Sequence, residues 1–328
     1  MKVLITREIP QAGIEILESH PEIQLDYRKG PPLSVSELKK AAKGADAIIS
    51  VIPDSITEEI IKSAGNQLKL IANYAIGFDN IDLKAATKNN VYVSNTPGDL
   101  TESIAEHTLA LILTVGRHIV QGDKYVRQGE YRYWEPLLFL GPNFRGKTLG
   151  IVGFGRIGKK VAYIAKNGLN MDILYVDVCE CAAEENTVGA KFVTMDYLLE
   201  HSDIVSLHCN LTDKSKHLIG EKEFRKMKPT AFLINTARGP IVDEADLARA
   251  LKEGWIEGAG LDVFEEEPKI HPELVNLENI VLTPHIASAT REARIQMARM
   301  AAENVVEVLI NKKTPINLVN KEILEKSK

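Results

Sequence analysis

The chain has 328 residues, 45% of them hydrophobic and 26% charged with both signs interspersed, and a formal net charge of −5. That length is too great for one compact core and predicts two domains, while the mild negative charge offers no electrostatic footprint for nucleic acid or an anionic membrane. Apolar runs are short and broken by charges, so no transmembrane helix is expected; "MKVLITREIP" lacks the apolar core of a signal peptide, and three cysteines (Cys179, Cys181, Cys209) cannot build a disulfide framework, which points to a reducing cytoplasm.

Strand and helix signals alternate along the chain, predicting an α/β architecture of doubly wound parallel sheets. The first stretch runs through "KVLIT", "AGIEILES", "ELKKAAKGADAIIS", "LKLIANYA" and "VYVSN", short apolar strands each followed by a segment of helical periodicity. In "SNTPGDLTESIAEHTLALILTVGRHI", Pro97 and Gly98 break the strand, Thr101 or Asp99 can cap, and a long helix follows. His107 and His118 lie on it and read as packing or surface residues. A domain crossing is placed there. The pattern restarts at Lys147 with "KTLGIVGFGRIGKKVAYIAKNG", "MDILYVD", "SDIVSLHC", "TAFLINTARG", "IEGAGLDVF" and "NIVLTPHI". The helix "TREARIQMARMAAENVVEVLI" is then expected to cross back and pack on the first domain. The expected division is 1–98 with 289–328, and 99–288.

Gly153, Gly155 and Gly158 form G-x-G-x-x-G between the strand "TLGIV" and an amphipathic helix. The first glycine permits the tight turn, the second lets a pyrophosphate approach the backbone, and the third lets helix and strand pack closely. The helix N-terminus offers free N–H groups to phosphates. Asp177 ends the next strand, nineteen residues past Gly158, where an acid accepts hydrogen bonds from ribose hydroxyls and repels a 2′-phosphate. No arginine follows it; Glu180, Glu184 and Glu185 do. The pattern predicts a dinucleotide, NAD (NADH) in preference to NADP.

Three ionisable residues come at successive strand ends: Arg238 after "FLINTA", Glu267 after "GLDVF" and His285 after "IVLTP". Ligands of open α/β sheets bind beyond such ends. An arginine there grips a carboxylate by two parallel bonds, and a histidinium backed by a carboxylate donates a proton. Together they suit reduction of a 2-oxo acid. Glu265 and Glu266 read as solvated, the C-x-C of Cys179 and Cys181 as bystander thiols with no metal, and Cys209 as a wall of the cofactor cleft.

"GFGRIG", "INTARGPIVDEADLARALKEGWIEGAGLDVFEEEP" and "LTPHIASAT", with "ANYAIGFDNID" and "NTPGDLTESIAEHTLALIL" earlier, resemble the D-isomer-specific 2-hydroxyacid dehydrogenases, nearest their glyoxylate/hydroxypyruvate reductase branch. The resemblance implies a flavodoxin-like substrate domain and a Rossmann NAD-binding domain. It implies a catalytic set of Arg238, Glu267 and His285, and substrate binding by N–H groups around Ile76 and Gly77 together with Arg238 and His285. Cofactor contacts carry over to Thr101, the loop of Gly153, Gly155, Arg156, Ile157 and Gly158, Asp177, Cys209, Thr236, Ala237 and Asp262. Ala287 stands where the family often has glycine, and its backbone N–H is expected to remain available. The aromatic stretch 129–147 reads as a subunit contact, since the family's dimers use this region. The implied protein is a homodimeric NADH-dependent reductase of glyoxylate or hydroxypyruvate. Phosphoglycerate-type and D-lactate-type dehydrogenases, and an NAD-sensing binding protein of the same fold, are the alternatives.

Overall fold

The computed structural model of the chain describes residues 1–98, 100–181 and 187–327; the expected cap at Asp99 and the acids Glu184 and Glu185 lie outside the described residues. Two compact units emerge: Met1–Leu100 with Ala289–Lys328, and Thr101–Ser288.

The first unit is built on strands β1 (Lys2–Ile5), β2 (Gln24–Tyr27), β3 (Ala47–Ser50), β4 (Leu70–Asn73) and β5 (Tyr92–Ser94), with helices α1 (Gln11–Glu18), α2 (Val35–Ala42), α3 (Glu58–Ala64) and α4 (Leu83–Lys88) between them. All pairs are parallel and the order is β2-β1-β3-β4-β5, the flavodoxin-like arrangement. Val3, Leu4, Ile5, Ile48, Ile49, Leu70 and Ile71 have no solvent exposure. Strands covered by helices on both faces are apolar at consecutive positions rather than alternate ones. Local chemistry sets the helix starts: Ser34 and Glu37 form a capping box on α2, and Asp82 accepts the Ala85 N–H of α4.

The second unit contains helices α5 (Leu100–Gly116), whose first residue still belongs to the first unit, and α6 (Ile119–Arg127), then β6 (Thr148–Val152), α7 (Arg156–Leu169), β7 (Asp172–Val176), β8 (Lys191–Phe192), α8 (Met195–His201), β9 (Ile204–Leu207), α9 (Glu221–Phe224), β10 (Phe232–Asn235), α10 (Glu244–Lys252), β11 (Gly258–Leu261), α11 (Pro272–Val275) and β12 (Ile280–Leu282). The long helix expected here is broken: it stops at Gly116 and restarts after His118, whose backbone is left-handed at φ 51°. The seven strands are parallel in the order β12-β11-β10-β9-β6-β7-β8, a Rossmann sheet with one added strand whose direction of winding reverses between β6 and β9. Apolar cores fill both faces of this sheet, one around Leu198, Phe224 and Leu247, the other around Ile112, Tyr175 and Val161.

The chain returns through α12 (Arg291–Leu309), capped by Thr290, to the first unit. There α12 lies directly on α1, because a Cβ on Gly13 would sit 2.6 Å from the Ala298 carbonyl oxygen. Beyond it, Asn320 accepts the Val93 N–H at 2.8 Å and donates to the Val91 carbonyl at 3.0 Å, locking edge strand β5. Among the described residues no helix is long and apolar enough to cross a membrane.

Candidate active site

The turn after β6 depends on two glycines that admit no side chain. Gly153 has φ +93°, and a Cβ there would lie 2.4 Å from the Cys209 nitrogen at the end of β9; a Cβ on Gly158 would lie 2.3 Å from the Gly153 carbonyl oxygen. Gly155 differs. It is the N-cap of α7, and among the described residues no side chain caps the helix and nothing lies within 4 Å of where its Cβ would be. The first turn of α7 (Arg156, Ile157, Gly158) therefore begins in an open cradle with its N–H groups and positive dipole end uncapped. Asp177, just past β7, is tied to this turn: one carboxylate oxygen accepts the Phe154 N–H and the other the Val178 N–H, both at 2.6 Å. An anion-accepting turn beside a fixed carboxylate suits a dinucleotide, phosphates at the one and ribose hydroxyls at the other. Burial, with the Asp177 charge adding to it, pushes the Cys209 thiol up to about 11, so at neutral pH it is an inert wall and not a nucleophile.

At the end of β10, Asn235 folds the next three residues around its own side chain. Its Oδ1 accepts the Ala237 N–H at 3.0 Å and its Nδ2 donates to the Arg238 carbonyl at 2.9 Å. Thr236 is buried, its hydroxyl 3.0 Å from that of Thr108 on α5. Arg238 leaves this turn with Nη1 donating to the Ala237 carbonyl at 2.7 Å. Gly239 rests on the peptide between Phe264 and Glu265, where a Cβ would fall 1.8 Å from the Phe264 carbonyl carbon. The arginine turn and the glutamate loop are thus in backbone contact.

Glu267 and His285 meet. One Glu267 oxygen accepts the Phe264 N–H at 3.0 Å and the other is 2.8 Å from His285 Nδ1; among the described residues Nε2 of the ring has no hydrogen-bond partner. His285 has a left-handed backbone, φ 54°, uncommon for a residue with a side chain. Asp262 holds it there: its carbonyl accepts the His285 N–H at 2.8 Å, and its carboxylate accepts the N–H groups of Ile286 at 2.8 Å and Ala287 at 2.7 Å. Burial raises the Asp262 pKa, but the hydrogen bonds from His107, Thr283, Ile286 and Ala287 together outweigh it and hold the carboxyl below its ordinary value.

The loop after β4 in the first unit has a different device. The carbonyls of Ala75, Ile76 and Gly77 accept from the Thr96 N–H at 2.9 Å, Asn95 Nδ2 at 2.8 Å and Asn73 Nδ2 at 2.8 Å. A trans peptide points its N–H opposite its carbonyl, so these three anchors turn the N–H groups of Ile76, Gly77 and Phe78 the other way. Among the described residues those three N–H groups have no acceptor. Such a run of free donors suits a carboxylate.

A family model, the NAD-binding domain of D-isomer-specific 2-hydroxyacid dehydrogenases, matches residues 109–287. The chain is 49% identical to the glyoxylate reductase of Thermococcus litoralis, over 99% of its own length and 98% of that protein's. The chain belongs to the D-isomer-specific 2-hydroxyacid dehydrogenase family. The glyoxylate reductase of Korarchaeum cryptofilum is 47% identical over 99% of this chain and 97% of that one. Among solved structures, the TT0316 protein of Thermus thermophilus superposes with a TM-score of 0.91 at 39% identity, covering 97% of this chain and 100% of that one. The protein is accordingly an oxidoreductase acting on a CH–OH group, with its NAD-binding domain in the second unit.

In this dehydrogenase several expectations need correcting. Glu265 is not merely solvated: its carboxylate lies 2.5 Å from His217 Nε2, and its N–H donates to Glu244 at 2.8 Å. Of the three glutamates only Glu266 lacks a side-chain partner among the described residues. The Ala287 N–H is not available, because Asp262 takes it. Asp262, expected among the cofactor contacts, is wholly buried and its carboxylate is engaged by the chain itself. His107 is more than packing, its Nε2 lying 3.1 Å from the Thr283 hydroxyl and 3.5 Å from Asp262. Thr101 sits in the first turn of α5. Sequence reading missed Asn73, Asn95, Asn235 and Glu244. Asn95 and Glu244 bond backbone groups 19 to 27 residues away, which no spacing rule exposes, while Asn73 and Asn235 fold the few residues that follow them, and there the asparagine at the strand end was a visible signal.

Proposed function

We infer that this dehydrogenase uses NADH to reduce a small 2-oxo acid, glyoxylate or hydroxypyruvate, to the D-2-hydroxy acid. The Glu267–His285 pair carries the reading: a carboxylate 2.8 Å from one ring nitrogen, the other nitrogen unpartnered among the described residues, on the strand ends that follow Arg238. The substrate rests on relatives named glyoxylate reductase, 43% to 49% identical over nearly their whole length.

Bound nicotinamide supplies a hydride to the carbonyl carbon. The chain handles proton and charge. His285 Nε2 donates a proton to the carbonyl oxygen, while Glu267 orients the ring through Nδ1 and balances the imidazolium. Arg238 binds the substrate carboxylate and stabilises negative charge on the carbonyl oxygen. In the first unit, the unpaired N–H groups of Ile76 and Gly77 are donors of the kind a substrate carboxylate takes. Gly153, Gly155, Arg156, Ile157 and Gly158 receive the pyrophosphate, Asp177 the ribose hydroxyls, and Thr101, Cys209, Thr236 and Ala237 line the remainder. Asp177 opposes a 2′-phosphate and the exposed Val178 follows it in place of an arginine, which favours NAD. Three free cysteines fit a cytoplasmic protein, and the exposed aromatic stretch around Trp134 fits a homodimer contact.

Steady-state oxidation of NADH and NADPH against glyoxylate, hydroxypyruvate, pyruvate and phosphohydroxypyruvate tests the reading. NADH should be preferred and one of the first two substrates turned over fastest. Tight NADH binding without turnover on any of them would make the chain a nucleotide-sensing protein, and a preference for NADPH would overturn the cofactor assignment. Glu267→Gln should lower kcat and move the decline of reduction to lower pH, whereas Glu266→Gln, at an exposed residue, should change neither.

A further inference from the structure

A buried acid that the reaction does not touch stands behind the glutamate loop. Glu244, in the first turn of α10, is 5% exposed and has no ion pair among the described residues. Its two oxygens accept the N–H groups of Glu265 at 2.8 Å and His271 at 3.2 Å. These donors are the two ends of the seven-residue segment that carries Glu267. Capping does not explain the residue, because the Asp243 side chain already accepts the Asp246 N–H at the start of α10. Favour from the helix dipole does not explain it either, since both oxygens are turned away from their own helix toward the loop. Burial pushes the Glu244 pKa up and the Glu265 charge adds to it, while the two N–H bonds oppose them. An acid is therefore kept here at some expense of stability.

The loop it grips makes two further contacts, one with the arginine turn and one with His217. Gly239 packs on the Phe264–Glu265 peptide, and His217, 3.5 Å from Asp243, pairs with Glu265. A loop left to itself would let the Glu267 carboxylate wander relative to His285, and displacements near 1 Å at a reacting group cost on the order of a hundredfold in rate.

We propose that Glu244 is a positioning residue: by clamping Glu265 and His271 it holds Glu267 at hydrogen-bonding distance from His285 Nδ1. The proposal rests on the reading of Glu267 and His285 as the proton-delivering pair. Glu244 acts through Glu267 and not on the substrate, so its removal affects the proton step and leaves binding alone.

A double-mutant cycle on the full-length protein tests it, with kcat, KM, the affinity for NADH and the pH profile of reduction measured for Glu244→Gln, Glu267→Gln and the double variant. The amide of Glu244→Gln can accept one N–H but presents its NH₂ to the other. Glu244→Gln should lower kcat tenfold or more, with KM and NADH affinity within twofold. It should shift the pH of decline in the same direction as Glu267→Gln, and add little to Glu267→Gln in the double variant. Effects that multiply in the double variant, or a kcat unchanged in Glu244→Gln while Glu267→Gln is impaired, would overturn the proposal alone. A Glu267→Gln variant with wild-type kcat and pH profile would instead remove the reading beneath it. Should Glu244→Gln fail to fold, Glu244→Asp, which keeps the charge but is too short to reach both N–H groups, takes its place in the cycle, and the same outcomes support or overturn the proposal.

Discussion

Asp262 shows how one buried side chain sets the placement of another. Its carboxylate accepts from two backbone N–H groups and the Thr283 hydroxyl, and its carbonyl fixes the left-handed His285. Because the folded-state pKa lies below the ordinary value, the group adds stability at pH values above the ordinary carboxylate range. That stability is lost as pH falls through the depressed folded value. Asp262→Asn should therefore destabilise the protein by about 2 kcal/mol at pH 7, read from chemical denaturation. The gap between variant and wild type should shrink below about pH 4 as the wild-type carboxylate protonates. A gap independent of pH would mean that the side chain acts by packing and not by its charge.

At the scale of elements, the strand–turn–helix unit of β6 and α7 separates two uses of glycine. Gly153 is required by the fold, since its φ of +93° and its contact with the Cys209 backbone exclude a Cβ. Gly155 has φ −74° and open space around it, so the fold tolerates alanine there. Gly153→Ala should lower the melting temperature by several degrees or prevent folding. Gly155→Ala should melt within about a degree of wild type yet bind NADH at least tenfold more weakly, because the methyl fills the phosphate approach. Thermal melts and fluorescence titration with NADH check both. Equal melting temperatures for the two variants would refute this division of roles.

For the whole molecule, each unit is a parallel sheet whose candidate site residues follow the C-terminal ends of strands: Ile76 and Gly77 after β4, and Arg238, Glu267 and His285 after β10, β11 and β12. The stretch after α6 has no regular structure from Glu130 to Lys147 and leaves Tyr133, Trp134 and Leu137 exposed, Leu137 at 78%. On the proposed homodimer reading this exposed stretch is the subunit contact. A second copy of the chain is the expected partner. Trp134→Glu combined with Leu137→Glu should convert a dimer to a monomer in sedimentation equilibrium. A wild type that sediments as a monomer at micromolar concentration would refute the dimer.

Much of the protein was determined by local rules that sequence alone obeys. Continuous apolar runs such as "AIIS" and "FLIN" mean strands covered on both faces, and Gly153, Gly155 and Gly158 followed by Asp177 mark a dinucleotide turn because backbone sterics leave few residues possible there. Successive strand ends nominated Arg238, His285 and one of the three glutamates between them, and the family resemblance pointed to Glu267. Tertiary structure alone decided which glutamate faces which histidine: Glu267 meets His285 and Glu265 meets His217 across 18 and 48 residues of chain. It alone decided that Asp262 takes the Ala287 N–H, that Asn73 and Asn95 turn the Ile76–Phe78 donors outward, and that Glu244 clamps the glutamate loop. The physical reason is common to all of them. A hydrogen bond depends on distance and direction between groups, whether 4 or 48 residues apart in the chain, and composition and spacing report neither.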